Sequence, residues 1–291
     1  MSKPLQPVLV GGIKCYSPEE ASRYEDYPDT GFDVTDRLEE DSFWVRSRNR
    51  LLKRMVETYS MHLPSARFLE IGCGTGAFIE HLASLRNLRV TGSEIYVKGL
   101  HYAKRRQPDV EFIQYDAKQG VLPDKFDVIA AFDVIEHIAE DVDTIANVHE
   151  MLADGGYFIV TVPQHKFLWS RLDQIVKHKR RYSRKELVAK LEQAGFEVVR
   201  RTSFLFALFP MMAVVRLLDR PAKDPDSLPE EDVFEDRVGF SRPVNWICDK
   251  VMRIDEALIG LGLSLPFGGT LLAVGQKRGG APANAIGDGV R

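Results

Sequence analysis

Apolar positions along this chain follow two alternating periods. Short apolar runs at Arg67–Ile71, Leu88–Glu94, Val110–Ala117, Phe126–Phe132, Tyr157–Pro163 and Phe196–Ser203 read as strands. Phe126–Phe132 is nearly all apolar, as a parallel strand covered on both faces should be. Between these runs the spacing becomes helical. Ala77–Leu85, Val97–Arg106, Val142–Leu152 and Leu187–Ala194 each carry an apolar stripe, and Pro108, Gly155-Gly156 and Gly195 supply stops. Upstream, Phe43, Trp44, Leu51, Leu52, Met55 and Tyr59 predict a first helix beginning near Asp41. Strand and helix in regular alternation predict a doubly wound parallel sheet.

The remainder departs from that alternation. Residues 1–40 have little periodicity and are expected to be an irregular N-terminal cover. After Ser203 the next strand candidate is Thr270–Lys277, so residues 205–269 form an insertion. It opens on an apolar stretch, Phe204–Val215, interrupted by Pro210, which would kink or end a helix. It continues through an acidic loop, Asp219–Asp236, to a helix from Val244 to Leu263. There Ile247, Val251, Ile254, Leu258 and Leu261 share a stripe that must cover something: a lid, the sheet, or a membrane interface. Residues 279–291 read as a flexible tail.

Composition narrows the classes. A chain of 291 residues with 44% hydrophobic and 28% charged content suits a globule of one large domain with elaborations. A net charge of −3 argues against a dedicated nucleic-acid binder. Cys15, Cys73 and Cys248 form no C-x-x-C pair, so neither a zinc site nor a disulfide framework is expected, and a reducing compartment fits. Met1-Ser2-Lys3-Pro4 shows no apolar signal region, and no apolar run reaches the length of about 18 residues that suggests a spanning helix.

The chemistry centres on Glu70-Ile71-Gly72-Cys73-Gly74-Thr75-Gly76. Strand, glycine turn and helix make a nucleotide-type cradle, in which the backbone approaches a ligand and a helix N-terminus faces it. The same register satisfies G-x-G-x-x-A, leaving a dinucleotide fold open. Glu70 discriminates, since a carboxylate before the turn repels a pyrophosphate but suits a cationic ligand.

E-x-G-x-G-x-G resembles the first motif of the class I S-adenosylmethionine-dependent methyltransferases. Asp133-Val134-Ile135-Glu136-His137-Ile138 resembles a second motif, especially that of the ubiquinone-biosynthesis-like branch. The resemblance implies a seven-stranded Rossmann-like α/β sheet with helices on both faces, plus the helical insertion before the last strand. It divides the chain into an N-terminal cover and helix (1–60), a core (61–204 and 270–278), the insertion (205–269) and the tail. It further implies a cytoplasmic enzyme, or one peripheral to the inner face of the membrane, with S-adenosyl-L-methionine as cofactor.

On that resemblance Glu70, Gly72, Cys73, Gly74 and Gly76 hold the methionine end. Glu94 with Ile95 meets the ribose; Glu94 lies 18 residues beyond Gly76 and ends its strand. Asp116 accepts from the adenine amino group, with Ala117 under the ring. Phe132 and Asp133 form the floor near the sulfonium, and Arg48 or Arg46 reaches the cofactor carboxylate. The pattern from Trp169-Ser170 to Tyr182-Ser183 resembles bacterial methyltransferases of surface-polysaccharide and lipid biosynthesis. His178, oriented by Asp173, is the first candidate for base or acceptor contact, with His137 second; no metal ligand is assigned. Six Lys and Arg residues within 177–185 suggest an anionic group on a small or lipid-like acceptor, set against a plain solvated face. A non-catalytic binding module and a nicotinamide-dependent oxidoreductase remain the alternatives.

Overall fold

The computed structural model describes residues 5–21, 32, 42–222 and 241–279. Its centre is one mixed sheet of nine strands in the order β1-β2-β5-β4-β3-β6-β7-β9-β8. These are β1 (Val8–Val10), β2 (Ile13–Cys15), β3 (Ala66–Ile71), β4 (Leu88–Glu94), β5 (Glu111–Gln114), β6 (Phe126–Phe132), β7 (Leu152–Pro163), β8 (Phe196–Phe204) and β9 (Thr270–Lys277). Strands β3 to β7 are mutually parallel where they pair, and β9 runs antiparallel between β7 and β8. All the parallel strands therefore end on one edge, which collects the candidate site.

Seven of these strands are the expected ones; the sheet nevertheless has nine, not seven. Part of the N-terminal cover is a hairpin: β1 pairs antiparallel with β2, and Lys14 and Cys15 pair with Ile113 and Gln114 of β5. Two short strands around the Gly11-Gly12 turn left no periodic signal. Strand β5 is also shorter than expected, so Asp116 stands in the loop beyond it.

Helices cover both faces. They are α1 (Phe43–Ser60), α2 (Ala77–Leu82), α3 (Val97–Arg106), α4 (Asp141–Met151), α5 (Arg171–Ile175), α6 (Arg184–Gln193), α7 (Phe209–Leu218) and α8 (Arg242–Gly260). Successive strand residues point to opposite faces. Leu69, Ile129, Phe158 and Ala273 pack against α4 and α6 through Ile145, Val148, Leu187 and Leu191. Phe68, Val128, Ala130 and Leu272 pack on the other face against Leu52, Met55, Cys248 and Met252.

The insertion holds two corrections. Pro210 neither kinks nor ends a helix: it lies in the first turn of α7, where its missing N–H costs nothing. The stripe assigned to α8 is split: Val251 and Leu258 pack against the core, but Ile247, Ile254 and Leu261 are exposed. The buried side carries Cys248, Met252 and Ile259 together with Asp249 and Asp255. These acids have partners: Arg50 of α1 clamps Asp249 and Glu256 at 2.9 and 2.6 Å, and Asp255 accepts the backbone N–H groups of Phe206 and Ala207. Ion pairing has placed acids inward, a choice that hydrophobic periodicity cannot register. No helix among the described residues is long and apolar enough to cross a membrane. The acidic loop from residue 223 and the tail from residue 280 lie outside the described residues.

Candidate functional site

The glycine turn leaves β3 and enters α2. Gly76 has φ +77°, and a Cβ there would sit 2.8 Å from the Ala103 Cβ, so only glycine serves. Gly74 also has positive φ, +54°, but a Cβ on it would meet no atom within 4 Å. The backbone at Gly74 thus faces open space at the sheet edge.

Three buried acids stand at the same sheet edge: Glu70 at the end of β3, Glu94 at the end of β4 and Asp116 just beyond β5. Glu94 is fixed by backbone donors, taking the Gly74 N–H at 3.0 Å and the Ile95 and Tyr96 N–H groups at 2.8 and 3.3 Å. Burial raises its pKa, and those three donors oppose the rise. Cys73 between the acids has its thiol pushed well up by burial, then by the charges of Glu70 and Glu94, which keeps it protonated. Ala117 is buried beside Asp116, its carbonyl accepting from Asn147 at 2.9 Å.

Helix α1 sends Arg48 to the end of β6. Its Nε donates to Asp133 Oδ2 at 2.9 Å, its Nη2 donates to the Phe132 carbonyl at 3.1 Å, and the guanidinium lies 5.8 Å from the Phe132 ring centre. Asp133 adopts φ +58°, a conformation rare for a side-chain-bearing residue and held here by its neighbours. Arg46 turns away to Asp249. Arg48, Phe132 and Asp133 are therefore brought together, and Arg46 is not among them.

Across this edge lies the second half of the site. Asp173 is fully buried and receives His178 Nδ1 at 2.8 Å, Arg181 Nε at 2.8 Å and Arg216 Nη1 at 3.4 Å. Burial alone would raise its pKa, but the His178 bond and the two guanidinium groups outweigh burial and hold it well below the carboxylate range. His137 stacks edge-on against His178, with ring centres 4.8 Å apart. Burial, then His178 and Lys179, lower the His137 pKa to about 3, so this imidazole is neutral.

Sequence reasoning passed over three members of this cluster. Glu136 is 0% exposed, lies 3.8 Å from His178 Nε2, and neither carboxylate oxygen has a hydrogen-bond partner. It sits inside the D-x-x-E-H motif, so the signal was present. Arg181 belongs to the basic run. Arg216 comes from α7 and gave no local signal. Much of the basic run proves internal: Arg180 pairs with Asp141, Arg181 with Asp173, and Arg184 donates to Ser203 and Leu265.

Residues 40–201 match the family model described as a methyltransferase domain. A protein of Mycolicibacterium smegmatis named "Probable S-adenosylmethionine-dependent methyltransferase" is 29% identical over 175 residues, 59% of this chain and 66% of its own. The ubiquinone biosynthesis O-methyltransferase of Pseudomonas syringae is 31% identical over 101 residues, 33% of this chain and 43% of its own. The chain thus spans less than two thirds of these curated relatives' lengths. Among solved structures, phosphoethanolamine N-methyltransferase 2 of Haemonchus contortus with S-adenosyl-L-methionine superposes with a TM-score of 0.57 at 16% identity, covering 90% of this chain and 60% of that one. The cyclase SpnF superposes at 0.54 and 20% identity, covering 81% and 83%. Likeness at that level shows the fold alone.

Proposed function

The chain belongs to the methyltransferase-domain family, and from that premise we propose that it transfers a methyl group from S-adenosylmethionine to an oxygen of a small, amphiphilic acceptor. The observation that carries the cofactor assignment is the trio Glu70, Glu94 and Asp116 buried at successive strand ends around the open turn at Gly74. Backbone donors satisfy Glu94 from within, leaving its remaining acceptor capacity for a diol. The carboxylates suit a cationic ligand and would repel a pyrophosphate. When bound, S-adenosylmethionine supplies an electrophilic methyl on a sulfonium.

The chain's own residues do the rest. Arg48 locks Asp133 and the Phe132 carbonyl, fixing the floor of the cradle. Asp173 takes the Nδ1 side of His178, which directs the Nε2 lone pair into the pole lined by Glu136 and His137. That lone pair is the group available to a hydroxyl proton, which favours an oxygen acceptor. The O-methyltransferase named among the relatives points the same way.

An amphiphilic acceptor is favoured by α7. This helix buries none of its residues, and Met211, Val214, Val215, Leu217 and Leu218 are exposed. Its last turn is tied to the catalytic loop through Arg216 and through Asp219, whose carbonyl accepts the Arg171 N–H. An apolar tail, or the membrane holding it, would cover this face. Isothermal titration with S-adenosylmethionine, S-adenosylhomocysteine and NAD tests the cofactor assignment: the first two should bind and NAD should not. Preferential NAD binding would overturn it.

A further inference from the structure

We propose that Glu136, His137 and His178 form a binding site for one divalent transition-metal ion at the acceptor pole. Each offers one ligand atom, and those atoms all lie within 4.8 Å of one another. Both Glu136 oxygens are buried without a hydrogen-bond partner, though the side chain lies 3.8 Å from His178 Nε2. A buried carboxylate is ordinarily given donors; Arg48 and Arg181 act on this one through their charge alone, which leaves its oxygens open to a bound cation.

The two imidazoles are already set for ligation. His178 is held through Nδ1 by Asp173 at 2.8 Å, leaving Nε2 toward Glu136. His137 lies edge-on to His178, and burial with the charges of His178 and Lys179 keeps its imidazole neutral. A carboxylate behind a histidine, as Asp173 stands behind His178, is how metal sites fix tautomer and ring orientation. Asp173 is itself pinned by Arg181, Arg216 and the Ser170 N–H, so the support does not end at the first partner. The Glu136–His178 pair is 3.8 Å apart and the three ligand atoms lie within 4.8 Å of one another, wider than the ~3.4 Å between ligands around tetrahedral zinc, so binding draws the three side chains inward.

Two histidines and one carboxylate favour zinc, or ferrous iron, over magnesium or calcium, which prefer oxygen sets. Three protein ligands leave positions open for solvent or an acceptor oxygen. Asp133 is not part of this cluster, and its Oδ2 is engaged by Arg48. The absence of a cysteine pair made a metal site unexpected, because these ligands come from two separate elements. Binding of the ion does not depend on the methyl-transfer reading; its role does. With an ion on Nε2, His178 acts as a ligand and the ion acidifies the acceptor hydroxyl in place of a free base.

The test uses the full chain without a histidine tag, stripped with EDTA and titrated with zinc chloride and cobalt chloride. One equivalent should bind, with visible cobalt absorption and an X-ray absorption spectrum showing imidazole nitrogen and oxygen ligands. Glu136→Gln and His137→Gln should weaken zinc on the order of 100-fold or more, and Asp173→Asn on the order of 10–100-fold. Exposed His101→Gln should change nothing. Zinc should raise the melting temperature of the native chain but not of Glu136→Gln. No stoichiometric zinc, a ligand set without imidazole, or undiminished binding in the variants would overturn the site. Full methyl transfer by the stripped enzyme, lost only in His178→Ala, would overturn the metal's role while leaving the methyltransferase reading intact.

Discussion

Asp173 and His178 are bound to each other twice. The carboxylate meets Nδ1 at 2.8 Å, and the His178 backbone N–H donates to the Asp173 carbonyl at 2.8 Å. The loop between them is thereby closed on itself, and the imidazole direction is set by covalent geometry as much as by charge. His178→Ala should lower turnover by roughly 10²–10⁴-fold, the range for a group handling a proton, while S-adenosylhomocysteine affinity holds. Asp173→Asn should also lose about 3–5 kcal/mol of folding stability, because Arg181 is left buried with its charge uncompensated. Denaturant unfolding separates the two effects.

Glu94 is a cofactor contact on this account. Glu94→Ala should weaken S-adenosylhomocysteine binding by about 1–3 kcal/mol, the cost of stranding hydrogen-bonding groups. Calorimetry at constant pH reads this directly. Unchanged affinity would make Glu94 a structural clamp on Gly74, Ile95 and Tyr96.

Glu136 gives a pH signature in metal-free protein. Burial, then Asp133, raises its pKa well above the ordinary carboxylate value, with Arg48 and Arg181 opposing. The native state then binds more protons than the unfolded chain, so stability falls as pH rises from about 4.3 through the raised value. Glu136→Gln removes that loss. In EDTA the variant should melt higher than the native chain at pH 8, with the difference vanishing near pH 4. An equal gap at both values would place the effect in packing.

The exposed side of α7 should govern membrane contact without supporting the fold. Val214→Lys combined with Leu218→Lys should leave stability within about 0.5 kcal/mol per site, as exposed substitutions do. Flotation with anionic liposomes should fall. Flotation that is absent from the native chain would remove the membrane from the account.

Legibility in the sequence followed the strength of the local pattern. Leu88–Glu94, Val97–Arg106, Phe126–Phe132 and Thr270–Lys277 were delimited to the residue, because their patterns end against polar, glycine, proline or charged positions. The positions of Glu70 and Glu94 at strand ends were legible for the same reason, whereas Asp116 stands in the loop beyond a shorter β5. Strands β1 and β2 were not, since their pairing rests on β5, a hundred residues away. Helix α8 was legible as an element, but its buried face only in part: Val251 and Leu258 pack inward as expected, while Asp249 is tolerated there because Arg50 pairs with it. Glu136 was visible in its motif, but its meaning depends on His178, which only the fold brings beside it.

The most direct measurement of the central claim is transfer of a labelled methyl group. The full chain, S-adenosylmethionine bearing a trideuterated methyl and a fractionated bacterial lipid and metabolite extract would be incubated together, and products read by mass spectrometry. The account predicts an apolar-tailed hydroxyl compound gaining the labelled methyl on oxygen, absent with His178→Ala, even though that variant still binds S-adenosylhomocysteine. No labelled product from any fraction, with the cofactor bound and intact, would contradict it and leave the chain a binding module on a methyltransferase fold.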